Sequence, residues 1–249
     1  MAAPYDAART RALLLDIEGT TTPVDFVYGT LFPFATAHVE EFLLTHAADL
    51  ECLHLLEELR RHYDTVLRQS PGLPSWHDAT AEERAVSAAV CVRWLVERDS
   101  KITPLKSLQG KIWEAGYRSG KLLGKVYPDV PRAVARWRAQ GRRIAIYSSG
   151  SVLAQQLLFR YSSAGDLSGF LDAYFDTTTG PKREAESYRR IAAALGLSGE
   201  SILFLSDVTA ELDAARAAGL QTALSLRPGT TPPEASSYPI IRTFDEILS

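Results

Sequence analysis

Four short apolar runs recur along the chain, and they end in small or acidic residues. They are ALLLD (Ala12–Asp16), RIAIYSSGS (Arg143–Ser151), ILFLSD (Ile202–Asp207) and QTALSL (Gln221–Leu226). Continuous apolar runs of this length, rather than alternating ones, are typical of parallel strands that are covered on both faces. The pattern therefore predicts four strands of a buried parallel sheet.

Helical patterns lie between these predicted strands. PRAVARWRAQG precedes the second run and SVLAQQLLFRY follows it, while REAESYRRIAAALG precedes the third run and TAELDAARAAG follows it. Gly219 stands at the position where the C-terminus of a helix favours glycine. Strands that alternate with helices indicate an α/β fold with a doubly wound parallel sheet.

The stretch from Leu31 to Leu123 breaks this alternation, because it contains helical patterns and no convincing strand. The patterns are HVEEFLLTHAADLECLHLLEELRRHYDTVL, TAEERAVSAAVCVRWLVERDS and LKSLQGKIWEAGYRSG, and the loop SPGLPSW separates the first two. We therefore predict a helical subdomain at residues 31–123, inserted into an α/β core that is made of residues 1–30 and 124–249.

All five histidines fall in this insert, and four of them (His38, His46, His54 and His62) recur at every eighth position. A helix turns about 100° per residue, so each step of eight rotates the side chain by about 80° around the axis. The four histidines cannot share one face, and we expect them to be solvated or partly packed. The predicted core has no histidine, which disfavours a phosphohistidine or Ser-His-Asp mechanism there.

Composition and charge narrow the class of protein further. A chain of 249 residues suits one domain with a smaller insertion. The net charge of −3 comes without a basic stripe, which argues against binding of nucleic acid. Cys52 and Cys91 lack metal-ligand spacing and are interpreted as reduced, buried thiols. Since there is no signal-peptide pattern and no run long enough to span a membrane, we expect a soluble, cytoplasmic protein.

Polar residues with chemical potential follow the predicted strands, at the carboxyl ends where open parallel sheets bind ligands. Taken singly, each has an ordinary explanation as a loop residue, a helix cap or a surface lysine. Their order along the chain, each at a strand end or a helix start, makes the set informative. The residues are Asp16, Glu18, Ser148, Ser149, Lys182 and Asp207.

These residues form a chemically coherent set for phosphoryl transfer. Asp16, Asp207 and the backbone around Glu18 supply the hard oxygens that Mg²⁺ prefers. A serine hydroxyl and the amides at a helix N-terminus can hold a phosphate, and a lysine adds the positive charge that phosphoryl transfer requires. A carboxylate can itself attack phosphorus and form an aspartyl-phosphate intermediate.

The motifs resemble those of the haloacid dehalogenase superfamily. DIEGT is similar to its first motif, IAIYSSGS to its second, Lys182 to its third and FLSDVTAE to its fourth. The helical insert is similar to the cap of its type-one members, so the resemblance implies a Rossmann-like core with a cap. One position departs from the pattern, because Glu18 stands where the second acid of the first motif is usually aspartate.

One branch of that superfamily, the enolase-phosphatases of methionine salvage (acireductone synthases), resembles this chain most closely. The resemblance covers DIEGTTTPVDFV, YSSGSVLAQQLLF, FDTTTGPKREAESYRRIA, ILFLSDVTAELDAA and the RPG at Arg227–Gly229. It implies a monomeric hydrolase with one Mg²⁺ per subunit. Such an enzyme enolises 2,3-diketo-5-methylthiopentyl-1-phosphate and then removes phosphate, which gives the acireductone 1,2-dihydroxy-3-keto-5-methylthiopentene.

The resemblance also implies roles for individual residues. Asp16 is the expected nucleophile and a metal ligand, and Asp207 completes the metal site. Glu18 is expected to offer its backbone carbonyl to the metal and its side chain to proton transfer. Gly19 is expected to let the chain leave the strand toward the cap.

Ser148 and Ser149 are expected to hold the phosphate, and Lys182 to neutralise both the phosphate and the nucleophile. Two other interpretations stay open. A phosphatase or dehalogenase without the enolase step would release phosphate without forming an enol product. A non-catalytic phosphate-binding module would bind phosphate without any turnover.

Overall fold

A computed structural model of the chain describes residues 5–230 and 237–248. The predicted core also includes residues 1–4, 231–236 and 249, which lie outside the described residues. Where the chain is described, it forms one sheet of six parallel strands. These strands are β1 (Ala12–Leu15), β2 (Arg143–Tyr147), β3 (Ala173–Phe175), β4 (Ile202–Ser206), β5 (Gln221–Ser225) and β6 (Ile240–Ile241).

The strand order is β3-β2-β1-β4-β5-β6, which confirms the predicted doubly wound sheet. All four apolar runs form strands, and every residue of β1 is completely buried, as strands covered on both faces require. The sequence patterns missed β3 and β6. These strands have three and two residues, too few to produce a recognisable apolar run.

Helices connect the strands and fill the insert. The α-helices are α1 (Val24–Phe26), α2 (Phe32–Thr45), α3 (Leu50–His62), α4 (Ala81–Glu97), α5 (Thr103–Arg118), α6 (Val130–Ala139), α7 (Val152–Arg160), α8 (Ala185–Leu195) and α9 (Thr209–Ala217). Short π-helical turns follow α1 and α3, at Val27–Leu31 and Tyr63–Leu67. The helices predicted around the second and third apolar runs, which form β2 and β4, are confirmed. Gly219 has a φ of 86° just beyond α9, as a helix C-terminus favours.

The chain divides into two compact units, Met1–Phe26 with Leu123–Ser249, and Val27–Leu122. The second unit contains helices α2 to α5. The structure describes all residues of this unit, and none of them forms a strand. The first long helical pattern of this unit splits at residues 46–49, where His46 Nδ1 lies 2.6 Å from Asp49 Oδ2. The domain boundaries at residues 31 and 123 stay a prediction.

A continuous apolar cluster packs one face of the sheet against α8 and α9. Its largest completely buried members include Tyr147, Tyr188 and Phe204. The Tyr188 ring contacts the rings of both Tyr147 and Phe204. In the other unit, Cys52 and Cys91 are free and buried, as predicted. None of the helices within residues 5–230 and 237–248 combines the length and the apolar character needed to cross a membrane.

Candidate functional site

The register of the three central strands brings the predicted site residues to one edge of the sheet. Leu15, at the end of β1, pairs with Ile146 of β2 and with Leu205 of β4. The carboxyl ends of these strands are therefore level. Asp16 directly follows β1, Ser148 follows β2 and Asp207 follows β4. This is the edge at which doubly wound sheets bind ligands, and β1 lies where the chain reverses its direction across the sheet.

Asp16 and Lys182 form a buried ion pair at this edge. Lys182 Nζ donates to Asp16 Oδ1 at 2.7 Å, and the backbone N–H of Ile17 donates to the same oxygen at 2.8 Å. The Asp16 side chain is 4% exposed and that of Lys182 is 10% exposed. Burial lowers the pKa of Lys182, but the charges of Asp16 and Glu211 outweigh burial and leave the pKa above its usual value. The lysine therefore stays protonated beside the carboxylate.

Two further residues, Ser206 and Glu211, belong to this cluster, although no sequence pattern indicates them. Glu211 Oε2 lies 2.7 Å from Lys182 Nζ, and Ser206 Oγ lies 3.0 Å from the same oxygen. Ser206 Oγ also lies 3.2 Å from Asp16 Oδ2. A hydroxyl has one proton, so Ser206 can donate to only one of these carboxylates at a time. Burial, and then the charge of Asp16, raise the pKa of Glu211.

Asp207 lies against the backbone of Gly19. Burial, and then the charge of Asp16, raise the pKa of Asp207 to about 6. Gly19 has a φ of 66°, and a Cβ at this position would lie 2.1 Å from Asp207 Oδ2. Gly19 therefore allows the left-handed turn and also leaves space for the Asp207 carboxylate. Glu18 is half-buried in the same loop.

Two buried tyrosines hold the loop that carries Lys182. The Tyr147 hydroxyl donates to the Gly180 carbonyl at 2.8 Å, and the Tyr188 hydroxyl donates to the Lys182 carbonyl at 2.7 Å. Ser187 Oγ donates to the carbonyl of Pro181 at 2.7 Å. These three side chains bind the carbonyls of the lysine and of the two residues before it, so the backbone that presents Lys182 to Asp16 is held at three consecutive positions.

The two serines occupy different environments after β2. Ser148 is buried, and its hydroxyl accepts the Gly150 N–H at 3.1 Å, whereas Ser149 is exposed. A hydroxyl that accepts one bond still has its proton to donate to a ligand. The Gln155 side chain holds this loop, because its amide nitrogen donates to the Gly150 carbonyl at 2.8 Å. The loop leads into the N-terminus of α7, where a phosphate would be favourable.

The oxygen donors at this edge suit a hard cation, although they are few. Within residues 5–230 and 237–248, no three or more His, Cys, Asp or Glu side chains are arranged to hold a metal ion. The predicted set needs only the carboxylates of Asp16 and Asp207 and the backbone carbonyl of Glu18. These are all oxygen donors, as Mg²⁺ prefers. A cation there would also relieve the repulsion between the buried Asp16 carboxylate and the partly buried Asp207 carboxylate.

Comparison with known proteins places the chain among enzymes. The family model of haloacid dehalogenase-like hydrolases matches residues 10–219. The Enolase-phosphatase E1 of Synechococcus elongatus is 54% identical over 235 residues, which cover 94% of this chain and 96% of the relative. That of Sorangium cellulosum is 48% identical over 245 residues, which cover 97% of this chain and 98% of the relative.

A solved structure also matches nearly the whole chain. The crystal structure of the UTR4 protein from Saccharomyces cerevisiae has a TM-score of 0.77 and 34% sequence identity, and the match covers 95% of this chain and 99% of that chain. The curated relatives and this structure span both compact units, including the helical one. The resemblance inferred from the motifs is confirmed.

Proposed function

The chain belongs to the enolase-phosphatase family of haloacid dehalogenase-like hydrolases, and from this membership we propose its reaction. The substrate is 2,3-diketo-5-methylthiopentyl-1-phosphate, and the products are the acireductone 1,2-dihydroxy-3-keto-5-methylthiopentene and phosphate, in methionine salvage. The observation that carries the proposal is the buried Asp16, held 2.7 Å from Lys182 at the carboxyl edge of the sheet. A nucleophilic carboxylate beside a fixed cation is suited to attack on a phosphate ester.

In the phosphatase step, the Asp16 carboxylate attacks phosphorus and the enol oxygen leaves with the electron pair of the P–O bond. Water then hydrolyses the aspartyl phosphate, which restores Asp16 and releases phosphate. Lys182 neutralises the negative charge that builds up on the transferring group, and the hydroxyl of the buried Ser148 donates a hydrogen bond to a phosphate oxygen. Ser149, which is exposed, is proposed to bind the same group from the solvent side.

We propose that Mg²⁺ is held by Asp16, Asp207 and the backbone carbonyl of Glu18. When bound, the ion would offset the charge of the phosphate and polarise the substrate's oxygens. In a protein treated with EDTA, turnover is expected to stop and to return when Mg²⁺ is added. Full activity after chelation would remove the metal from the proposal.

Glu18 is proposed to transfer a proton between the substrate and the site. Glu18→Gln is nearly isosteric and keeps the backbone carbonyl, so the metal ligand is preserved while the ionisable group is lost. Phosphate release is expected to slow by roughly 10²–10⁴-fold, as is typical for loss of a general acid–base. A variant with an unchanged rate would limit Glu18 to its backbone contribution.

We also propose that residues 31–123 act as a cap for the core formed by residues 1–30 and 124–249, and that the protein is a monomer. A cap that excludes water protects the intermediate and strengthens the electrostatic interactions in the site. Limited proteolysis is expected to cut first near the two junctions between cap and core, at residues 30–31 and 123–124. Early cuts within the sheet would contradict these boundaries. The monomer is tested by light scattering on a size-exclusion column, which is expected to give the mass of one chain.

The decisive experiment is a single-turnover time course with the diketo phosphate and Mg²⁺, in which enol absorbance and free phosphate are followed separately. The enol is expected to form before phosphate is released. Phosphate without any enol product would favour a simple phosphatase. Binding of inorganic phosphate without turnover of the substrate would favour a non-catalytic module.

A further inference from the structure

Arg227 is a buried arginine that the proposed reaction does not use. It follows β5, is 3% exposed, and its guanidinium carbon lies over two aromatic rings, 4.5 Å from the centroid of Tyr127 and 4.3 Å from that of Phe244. Arg227 Nη1 donates to Asp129 Oδ2 at 2.6 Å, and the Asp129 side chain is 8% exposed. Burying such a pair is costly, because both charges lose their hydration.

The guanidinium also reaches the loop that carries the nucleophile. Arg227 Nε donates to the Thr20 carbonyl at 2.8 Å. In the next residue, the Thr21 carbonyl accepts the backbone N–H of Tyr127 at 2.9 Å, and the Thr21 hydroxyl donates to the Asp16 carbonyl at 3.1 Å. Hydrogen bonds to two adjacent residues, Thr20 and Thr21, therefore link Arg227 and Tyr127 to the backbone of Asp16.

These contacts join two stretches of the α/β unit, one that precedes the helical unit in the sequence and one that follows it. Residues 20–22 precede Val27, where the helical unit begins, and residues 127–129 follow Leu122, where it ends. Arg227 contacts both stretches, through Thr20 on one side and Tyr127 and Asp129 on the other. Asp129 Oδ2 also accepts the Phe244 N–H at 2.6 Å, which attaches the C-terminal segment to the same point.

We propose that Arg227 is a positioning residue, which holds the loop of Asp16 and Glu18 in place by binding it to the segment that returns from the helical unit. The inference rests on the proposed function, because it concerns the placement of the same nucleophile. Only a planar group with several donors can bind Thr20 and Asp129 while it contacts two aromatic rings. Lysine could pair with Asp129 but could not make all of these contacts.

The test compares Arg227→Lys with Arg132→Lys. Arg132 also binds an aspartate of the C-terminal segment, Asp245, but it is largely exposed and its bonds go to that aspartate. For Arg227→Lys, kcat is expected to fall by roughly 10–100-fold with little change in KM, because a nucleophile displaced by about 1 Å loses that much rate. Arg132→Lys is expected to keep the wild-type kcat and KM.

Amide hydrogen exchange supplies the readout that does not depend on activity. In Arg227→Lys, the amides of Thr20–Thr22 and Tyr127 are expected to exchange faster than in the wild type, while those of β1 keep their protection. An unchanged kcat with unchanged exchange in this loop, accompanied only by a lower unfolding temperature, would overturn the proposal.

A second variant covers the case in which Arg227→Lys does not fold. Arg227→Met combined with Asp129→Asn removes both charges, so neither is left buried without a partner. The same two readouts then decide. If the wild type does not turn over the diketo phosphate, the proposed function fails, and the exchange rates still decide whether Arg227 holds the loop.

Discussion

Two lysines, one in each compact unit, have similar partners and very different surroundings. Each lies between two carboxylates, which are Asp16 and Glu211 for Lys182, and Glu51 and Glu114 for Lys111. The distance from Lys182 Nζ to Asp16 Oδ1 is 2.7 Å, and that from Lys111 Nζ to Glu51 Oε1 is 2.6 Å. The side chains of Lys182 and Asp16 are only 10% and 4% exposed, whereas those of Lys111 and Glu51 are 28% and 67% exposed.

Water accounts for the difference between the two lysines. An ion pair in contact with solvent contributes about 0–1 kcal/mol, because hydration competes with the pairing. When one partner of a buried pair is removed, the remaining charge costs about 3–5 kcal/mol. The α/β core therefore keeps dehydrated charges at the edge of its sheet at considerable cost, as a site for charged chemistry must. The ion pair of Lys111 and Glu51 in the helical unit lies in contact with solvent.

The largest effect is expected from Asp16→Asn. The amide is nearly the same size as the carboxylate but is neutral and a poor nucleophile, so phosphate release is expected to fall below detection while the circular dichroism spectrum is unchanged. Enol absorbance should be measured in parallel. It continues to rise if another group removes the proton from the substrate. Phosphate release near the wild-type rate would exclude Asp16 as the nucleophile.

Lys182→Met is expected to have the next largest effect, since it leaves Asp16 and Glu211 buried without their cation. In EDTA, the free energy of unfolding should decrease by about 3–5 kcal/mol, measured by urea denaturation. With Mg²⁺ present, kcat should fall by roughly 10²–10³-fold because the transferring phosphate loses one stabilising charge. Little change in either quantity would mean that Lys182 is as well hydrated as Lys111.

Gly19→Ala tests the space beside Asp207. The added methyl group would have to displace the Asp207 carboxylate, and the backbone would be strained at its φ of 66°. The Mg²⁺ concentration that gives half-maximal activity is expected to rise by roughly 10–100-fold, as when the support of a metal ligand is lost. Gly29→Ala is the control, because a Cβ there would meet nothing within 4 Å. Equal Mg²⁺ requirements in the two variants would contradict the role of Gly19.

Lys111→Met is expected to have the smallest effect. It removes the same type of group as Lys182→Met, but from ion pairs that are more exposed to solvent. The unfolding free energy should change by about 0–1 kcal/mol, and the rate of phosphate release should not change. A loss of several kcal/mol, or of activity, would show that burial is not what distinguishes the two lysines.

The sequence predicted the parts of the site that depend on strand ends. Asp16 and Asp207 stand out because each interrupts an apolar run. Glu211 was missed because an acid in the first turn of a helix is an ordinary stabilising feature there. Ser206 was missed because it is the last residue of a buried strand. Their contacts with Lys182 and Asp16 depend on tertiary packing, which local patterns do not encode.

The fold shows the same division between what local patterns indicate and what packing determines. The apolar runs predict the four longer strands, whereas the short strands β3 and β6 are defined by their pairing with β2 and β5. Gly19 was interpreted only as an exit from β1. Its contact with Asp207 joins positions that are distant in the sequence, and no spacing rule predicts it.

The central place of β1 in the sheet affects how the chain is made. On the ribosome, β1 is synthesised before its neighbours, and Ser206 at the end of β4 is 190 positions beyond Asp16. At about 5–20 residues per second, this interval is roughly 10–40 s. During that time one edge of a strand rich in leucine has no neighbour, and such an edge favours pairing with other chains. Newly made chains are therefore expected to leave this edge open to pairing with other chains until β4 is complete.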